Sequence, residues 1–171
     1  MRMRKTFLLL FTHAAALAVG FGLGIYALPL LIAPAAPTPA ELAQALQAPA
    51  AASDAGSAPA SVRFTARFVR DLADSDALHW GEGDVTVTAR HVALQGRLAP
   101  GPDYKLYFSP TFVETEADFE RLKPQMRRAG DVKTFDNFLV ELPADLDVQQ
   151  YTTVIVWCET FRQFITAARY R

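Results

Sequence analysis

The reactive group that stands out in this chain is a thiol, because Cys158 is the one cysteine among its 171 residues. A cysteine can act as a thiolate nucleophile, form a disulfide, or bind haem iron or copper through its sulfur. It can also be a small buried hydrophobe, since free cysteine is among the most buried residue types. Three interpretations stay open for Cys158: core packing, an exposed thiol that forms a mixed or intermolecular disulfide such as that of a homodimer, and a redox or ligand role.

A second candidate is His79, which follows three aspartates in a polar stretch and precedes Trp80 and a Gly-Glu-Gly sequence. Imidazole exchanges a proton near neutral pH and is a common metal ligand. The position suits a ligand or an acid–base group, although a loop histidine is more often only solvated. The other two histidines are His13, in the apolar N-terminal stretch, and His91, at a tight junction between predicted strands.

Several classes of protein are excluded by the motifs that the sequence lacks. Without Cys-x-x-Cys there is no thioredoxin-like dithiol, and without Cys-x-x-Cys-His no haem is attached in the c-type manner. Neither a P-loop nor a Gly-x-Gly-x-x-Gly turn occurs. Three histidines, one of them in the apolar segment, are too few for a multi-histidine zinc site. The cofactor, if the chain has one, stays unknown, and a haem would lack any attachment motif.

The N-terminal residues predict a membrane segment. Residues 1–5 form a basic tip with Arg2, Arg4 and Lys5, and residues 6–33 contain no charged side chain. A bilayer core needs about 20 apolar residues in helix, whereas the apolar region of a cleaved signal has roughly 7–15, so a retained anchor is favoured over cleavage. The basic tip predicts a cytoplasmic N-terminus, a single pass through the inner membrane, and a C-terminal part in the periplasm or exterior.

Residues 34–60 form an Ala/Pro-rich linker with charges only at Glu41 and Asp54. Such a composition cannot bury enough apolar area to fold alone, so it predicts an extended, semi-rigid tether. A short helix over residues 39–47 is compatible with it, because Pro39 suits a first helical turn and Glu41 suits a helix N-terminus.

Residues 61–171 have the length of one domain. Without the three basic and two acidic residues of the first 60, this part keeps 14 Lys and Arg against 16 Asp and Glu, a net charge of −2. Because it has no basic field, we expect no nucleic-acid partner.

The periodicity of residues 61–171 is mostly two, which is typical of β-strands. Alternating or apolar runs bounded by turn signals predict strands over residues 62–68, 85–88, 92–98, 104–108, 134–142, 152–158 and 166–170. Between them, Thr115 begins a sequence that resembles a capping box, and we predict a short helix over residues 116–123 that Pro124 ends. The fold class is therefore all-β: an antiparallel β-sandwich or open barrel of about seven strands, with one short helical insertion, preceded by a transmembrane helix.

Several of these pieces together resemble the DM-thirteen domain. They are His79 with its two following glycines, the turn Gly101-Pro102-Asp103 before the strand at Tyr104, Leu142-Pro143, and the strand from Tyr151 to Cys158 with Phe161 and Phe164 behind it. The resemblance covers roughly residues 64–170, and the Trp157-Cys158 strand is its most specific piece. Two departures are the helical insertion and Ile165, which stands where a glycine commonly follows the phenylalanine and could narrow the space near the thiol.

The resemblance implies an extracytoplasmic electron-transfer domain. Our leading hypothesis is a membrane-anchored domain of this kind, not a turnover enzyme, that works beside a membrane redox protein of the cytochrome-b type. The resemblance also implies Cys158 as the redox group or prosthetic-group ligand and His79 as its companion. We also take the adjacent Trp157 as a candidate cofactor contact. The competing hypothesis is a non-catalytic binding or interaction module, in which Cys158 is structural and the loops around His79 and residues 110–131 recognise a partner.

Overall fold

The computed structural model describes residues 2–47 and 62–171, which form three α-helices and eight β-strands. The helices are α1 (Arg2–Ile32), α2 (Pro39–Gln47) and α3 (Glu116–Leu122). The strands are β1 (Arg63–Phe68), β2 (Gly81–Thr88), β3 (His91–Leu98), β4 (Tyr104–Ser109), β5 (Arg127–Val132), β6 (Asp136–Glu141), β7 (Thr153–Cys158) and β8 (Gln163–Arg169). Short 3-10 turns follow at Lys123–Gln125 and Val148–Gln150.

The strands form two antiparallel four-stranded sheets, in the orders β1-β2-β3-β6 and β5-β4-β7-β8. The predicted all-β sandwich is confirmed, and the sheets do not close into a barrel. One strand more is present than the seven expected: β5 follows the predicted helix, in a segment for which no strand was predicted. Its sequence, Arg-Arg-Ala-Gly-Asp-Val, does not alternate between apolar and polar residues, and Ala129 and Val132 are its two buried residues. As an edge strand it tolerates charges that a central strand would not.

The helix α1 carries the predicted membrane segment. Within residues 2–47 and 62–171 it is the one helix long and apolar enough to cross a membrane, with a mean hydropathy of 2.1 over its most apolar window. A retained anchor and a signal segment share these properties, so the choice between them stays a prediction.

The helix α2 confirms the short helix expected in the linker. Thr38 precedes it, and the Glu41 carboxylate accepts hydrogen bonds from the Thr38 N–H at 2.7 Å and the Thr38 hydroxyl at 2.8 Å. Leu42 is buried where α2 packs on β3, and Asn137 Nδ2 donates to the Pro37 carbonyl at 3.0 Å. The start of the linker therefore lies on the domain, while the part of the predicted tether over residues 48–60 lies outside the described residues.

The strand β7 is an inner strand of the second sheet. All six of its residues are buried, and it pairs with β4 on one side and β8 on the other. One face looks into the space between the sheets, and the other is covered by α3 and the loops beside it. The Thr115 hydroxyl caps α3 by accepting from the Asp118 N–H at 3.2 Å, so the predicted helix is confirmed to within one residue.

Candidate functional site

The thiol of Cys158 lies at the end of β7, inside the core. Cys158 pairs with Tyr104 in β4 and with Gln163 in β8. Its exposed fraction is 3%, and Sγ donates a hydrogen bond to the Pro102 carbonyl oxygen at 3.0 Å. The sulfur is therefore held between the strand and the turn that precedes β4.

Burial raises the pKa of the Cys158 thiol, and the carboxylates of Asp103 and Glu159 raise it further. Hydrogen bonds from the backbone of Phe161 and Thr160 act in the opposite direction without reversing the shift. An unperturbed thiol already has a pKa of about 8.5, so Cys158 is a neutral thiol at physiological pH.

The turn over residues 100–103 is held firmly against the sulfur. Asp103 adopts a φ of 58° and accepts from Lys105 Nζ at 2.6 Å and from the Thr160 hydroxyl at 3.0 Å. The hydroxyl of Tyr104 donates to the Ala99 carbonyl at 3.0 Å across the base of the turn. These contacts fix the position of the Pro102 carbonyl oxygen, which accepts the hydrogen bond from the Cys158 thiol.

The ring of His79 is oriented by Asp76. Asp76 Oδ1 accepts from the backbone N–H of Leu78 at 2.6 Å and of His79 at 2.8 Å, and Oδ2 lies 3.0 Å from His79 Nδ1. The hydrogen bond from His79 lowers the pKa of the Asp76 carboxyl, so the carboxylate is ionised and the Nδ1 position carries the proton. In the neutral ring this leaves Nε2 as the hydrogen-bond and proton acceptor.

The loop that carries His79 is attached to the helical insertion. Asp74 Oδ2 accepts from the Glu116 N–H at 2.6 Å, and the Asp74 N–H donates to the Glu114 carbonyl at 3.1 Å. Arg70 lies over the ring of Trp80, 3.4 Å from its centroid. The helix α3 thus supports the loop as well as covering the outer face of β7.

The two candidate residues line one cavity of about 200 Å³. Cys158 and His79 form part of its wall together with the turn at Gly101 and Pro102. The other side is formed by Gly22, Ile25 and Tyr26 of α1. Among its lining residues there is no lysine, arginine, aspartate or glutamate, so the cavity is largely apolar.

The structure separates Trp157 from this cavity. Its indole is fully buried on the opposite face of β7 and stacks on Phe119 of α3, with ring centroids 3.9 Å apart and planes at 10°. The Nε1–H has no hydrogen-bond partner among the described residues. Trp157 therefore fastens the insertion to the sheet.

Four further wall residues were not predicted as site residues from the sequence: Tyr26, Gly101, Pro102 and Ile165. Ile165 was noted as a departure near the thiol, and it does line the cavity. The turn Gly101-Pro102 was recognised only as a turn. The contribution of Tyr26 depends on how α1 lies against the domain, which no local pattern encodes.

The cavity does not suit a haem or a metal ion. Pockets for drug-sized ligands hold about 300–1,000 Å³, and a porphyrin is at least of that size. The described residues contain no group of three or more His, Cys, Asp or Glu side chains that could hold a metal. The thiol is protonated and already donates to Pro102, so it does not present a free sulfur ligand.

The family described as electron transfer DM13 matches residues 68–170, a range that includes His79, the turn before β4, and Cys158. Neither a curated protein nor a solved structure matches the chain. Because the match covers more than half of the 171 residues, the chain belongs to the electron transfer DM13 family.

Proposed function

We propose that this chain is a membrane-anchored electron-transfer domain that faces the periplasm or the exterior and works at the cavity shared by Cys158 and His79. Membership of an electron-transfer family supports the class of activity. The observation that carries the assignment to this site is the cavity itself, where a thiol and an oriented imidazole meet one apolar volume. The apolar helix α1 supports anchoring to a membrane.

In this proposal Cys158, His79 and the apolar wall of the cavity have different chemical roles. Passing one electron to the oxidised haem of the partner would convert the Cys158 thiolate into a thiyl radical, and one electron from the reductant would restore the thiolate. Because the thiolate is the reactive form of a cysteine, Cys158 must first lose its proton. His79 Nε2 is a proton acceptor at the same cavity, and Asp76 holds the ring in its orientation through Nδ1. The cavity wall contains no charged side chain that would hold an ion beside the sulfur, which limits side reactions there.

A partner in the membrane would receive or supply the electrons. We propose a redox protein of the cytochrome-b type, because α1 would hold the cavity beside the bilayer. A homodimer through Cys158 would require the sulfur to leave the core, since 3% of this residue is exposed. Non-reducing electrophoresis of the full-length protein, compared with Cys158→Ser, tests that alternative.

The second candidate is a binding or interaction module in which Cys158 is structural. It is favoured by the buried thiol, its hydrogen bond to Pro102 and its raised pKa, all of which oppose reactivity. In this case His79 and the loops near it would contact a ligand without exchanging electrons.

The discriminating experiment measures electron flow in native membranes that contain the full-length chain. A membrane-impermeant reductant is added, and the reduction of membrane b-type haem is followed by absorption. We expect Cys158→Ser and His79→Ala each to slow this reduction at least roughly tenfold, because a positioned acid–base group contributes about 10²–10⁴-fold.

The matched control is Thr153→Ser at the other end of β7, where a buried side chain is trimmed outside the cavity. It should leave the rate unchanged. Equal rates for wild type and both cavity variants, at equal protein levels, would refute electron transfer at this site and support the binding module.

A further inference from the structure

The structure assigns a ligand class to the cavity between α1 and the domain: we propose that it binds the ring of a lipid-soluble quinone that enters from the membrane. This inference deepens the proposed function and rests on it for the redox role of the site. It concerns binding, and it follows from four features of the cavity: its level in the membrane, its apolar rim, its hydrogen-bonding groups and its volume.

The first feature is the level of the cavity along α1. The helix has 31 residues, so at 1.5 Å per residue it is about 46 Å long, whereas the hydrocarbon core is about 30 Å thick. With Arg4 and Lys5 at the inner boundary, about 20 residues fill the core and the span ends near Ile25. The wall residues Gly22, Ile25 and Tyr26 therefore lie at the outer edge of the hydrocarbon.

Tyr26 itself agrees with this level. Tyrosine is enriched at membrane–water interfaces, where its ring lies in the apolar layer and its hydroxyl reaches the headgroups. The exposed fraction of Tyr26 is 47%, so packing against the domain leaves about half of its surface accessible. A ligand that reaches the cavity beside Tyr26 comes out of the bilayer.

The second feature is the apolar rim on the domain side. Leu78 is 59% exposed and Phe161 is 47% exposed, and both line the cavity. Large apolar side chains exposed together mark a contact with a partner or a lipid phase. Since no lining residue is charged, an anionic water-soluble carrier would leave its charge unpaired, whereas a neutral ring would not.

The third feature is the pair of polar groups that remain for a ligand. Within the described residues, the Cys158 thiol is occupied by the Pro102 carbonyl and the Tyr104 hydroxyl by the Ala99 carbonyl. In the same part of the chain, neither His79 Nε2 nor the Tyr26 hydroxyl takes part in a hydrogen bond. They are suited to the hydroxyl and carbonyl oxygens of a quinol or quinone ring.

The fourth feature is size. A cavity of about 200 Å³ is smaller than the roughly 300–1,000 Å³ of pockets for drug-sized ligands. It accommodates one substituted six-membered ring and not the tail of a lipid-soluble quinone. The tail would stay in the bilayer, on the side where α1 forms the wall.

The test uses the full-length protein in detergent micelles and a decyl-substituted benzoquinone as the probe, with binding measured by calorimetry against empty micelles. Gly22→Leu fills the cavity from the helix side, because a Cβ at Gly22 meets nothing within 4 Å. Gly24→Leu is the matched control, since Gly24 has equally open surroundings and does not line the cavity.

We expect saturable binding by wild type and Gly24→Leu, and a dissociation constant raised at least about tenfold by Gly22→Leu. His79→Ala should raise it as well. Decanol, which has the tail without the ring, should not compete. Absence of saturable binding, equal affinities of the two leucine variants, or equal competition by decanol would each overturn the quinone site.

The outcomes also separate this inference from the proposed function. If the probe does not bind and Cys158→Ser still slows haem reduction, the quinone site is wrong while electron transfer at the thiol stands. If the probe binds and the cysteine variant leaves haem reduction unchanged, the ligand site stands without electron transfer through Cys158.

Discussion

Trp157 and Cys158 are consecutive residues of β7, yet their side chains lie on opposite faces of the sheet. The indole of Trp157 stacks on Phe119 at 3.9 Å, while the sulfur of Cys158 lies 3.0 Å from the Pro102 carbonyl on the cavity side. Successive side chains of a strand point to opposite faces, so the pair serves two sites at once. Trp157 packs the second sheet against α3, which supports the His79 loop. Cys158 faces the cavity.

Alkylation of Cys158 by iodoacetamide should be slow in the native protein. Burial restricts access and raises the pKa of the thiol, so little thiolate is present at pH 7.5. We expect a rate at least about tenfold below that of the chain unfolded in guanidinium, measured by mass spectrometry. Equal rates in the folded and unfolded chain would show that the sulfur is open to solvent.

The same burial makes stability depend on alkaline pH. A thiol whose folded pKa is raised favours the folded state below its unfolded pKa of about 8.5, and this contribution is lost as pH rises through the folded value. The free energy of unfolding of wild type should therefore start to fall above about pH 8.5. Cys158→Ala should lack this decline until tyrosines begin to titrate near pH 10. Parallel pH profiles of the two proteins in guanidinium melts would contradict the assignment.

Asp76→Asn should disturb His79 without touching the thiol. The amide keeps the shape of the carboxylate but removes the charged acceptor of the Nδ1 hydrogen bond that orients the ring. We expect haem reduction in native membranes to fall at least about threefold at equal protein levels. A purely structural role would lower stability alone and leave the rate of haem reduction per folded protein unchanged.

Much of the fold follows from local signals in the sequence. In β1 the exposed positions Arg63, Thr65 and Arg67 alternate with more buried neighbours, so its period is visible. The helix α3 is signalled by Thr115 and by the proline that follows the helix. The strand β5 has no such local signal, because it carries three charges and a glycine in six residues. It lies at the edge of the sheet, where a strand does not need an apolar pattern.

The candidate site divides in the same way. Cys158 and His79 stand out by residue type, since one is the only thiol in the sequence and the other follows a run of aspartates. Their meeting at one cavity depends on the pairing of β4 with β7 and on the course of a loop 79 residues earlier than the thiol. The part of the cavity wall that α1 forms depends on packing between residues more than 50 positions apart in the sequence. No local sequence pattern indicates such packing.

Phe119→Ala should destabilise the domain by about 3–5 kcal/mol, because a fully buried ring stacked on Trp157 is removed. Phe119→Leu keeps most of the volume and should cost less than about 1.5 kcal/mol. Guanidinium unfolding gives both values, and near-UV circular dichroism reports the environment of Trp157. An equal, small loss for the two variants would mean that α3 does not depend on this stack.

Gly96→Ala should be strongly destabilising, although Gly96 lies far from any candidate catalytic group. It faces Gly83 across β2 and β3, and Gly83 has a φ of 130°. A Cβ at Gly96 would collide with the Glu82 carbonyl oxygen and lie 2.6 Å from the Gly83 Cα. Since both atoms belong to backbone, the strands must separate, and we expect a loss of about 2–3 kcal/mol.

The adjacent position supplies the control for this substitution. Gln95 is exposed on the same strand, so Gln95→Ala should change the free energy of unfolding by no more than about 0.5 kcal/mol. The Gly96 N–H also donates to Asn137 Oδ1 at 3.0 Å, and Asn137 Nδ2 binds the Pro37 carbonyl. Separation of the strands in Gly96→Ala should therefore release the start of the linker, which hydrogen exchange over residues 37–47 would detect. Stability and exchange equal to those of Gln95→Ala would show that β2 and β3 can part locally without cost.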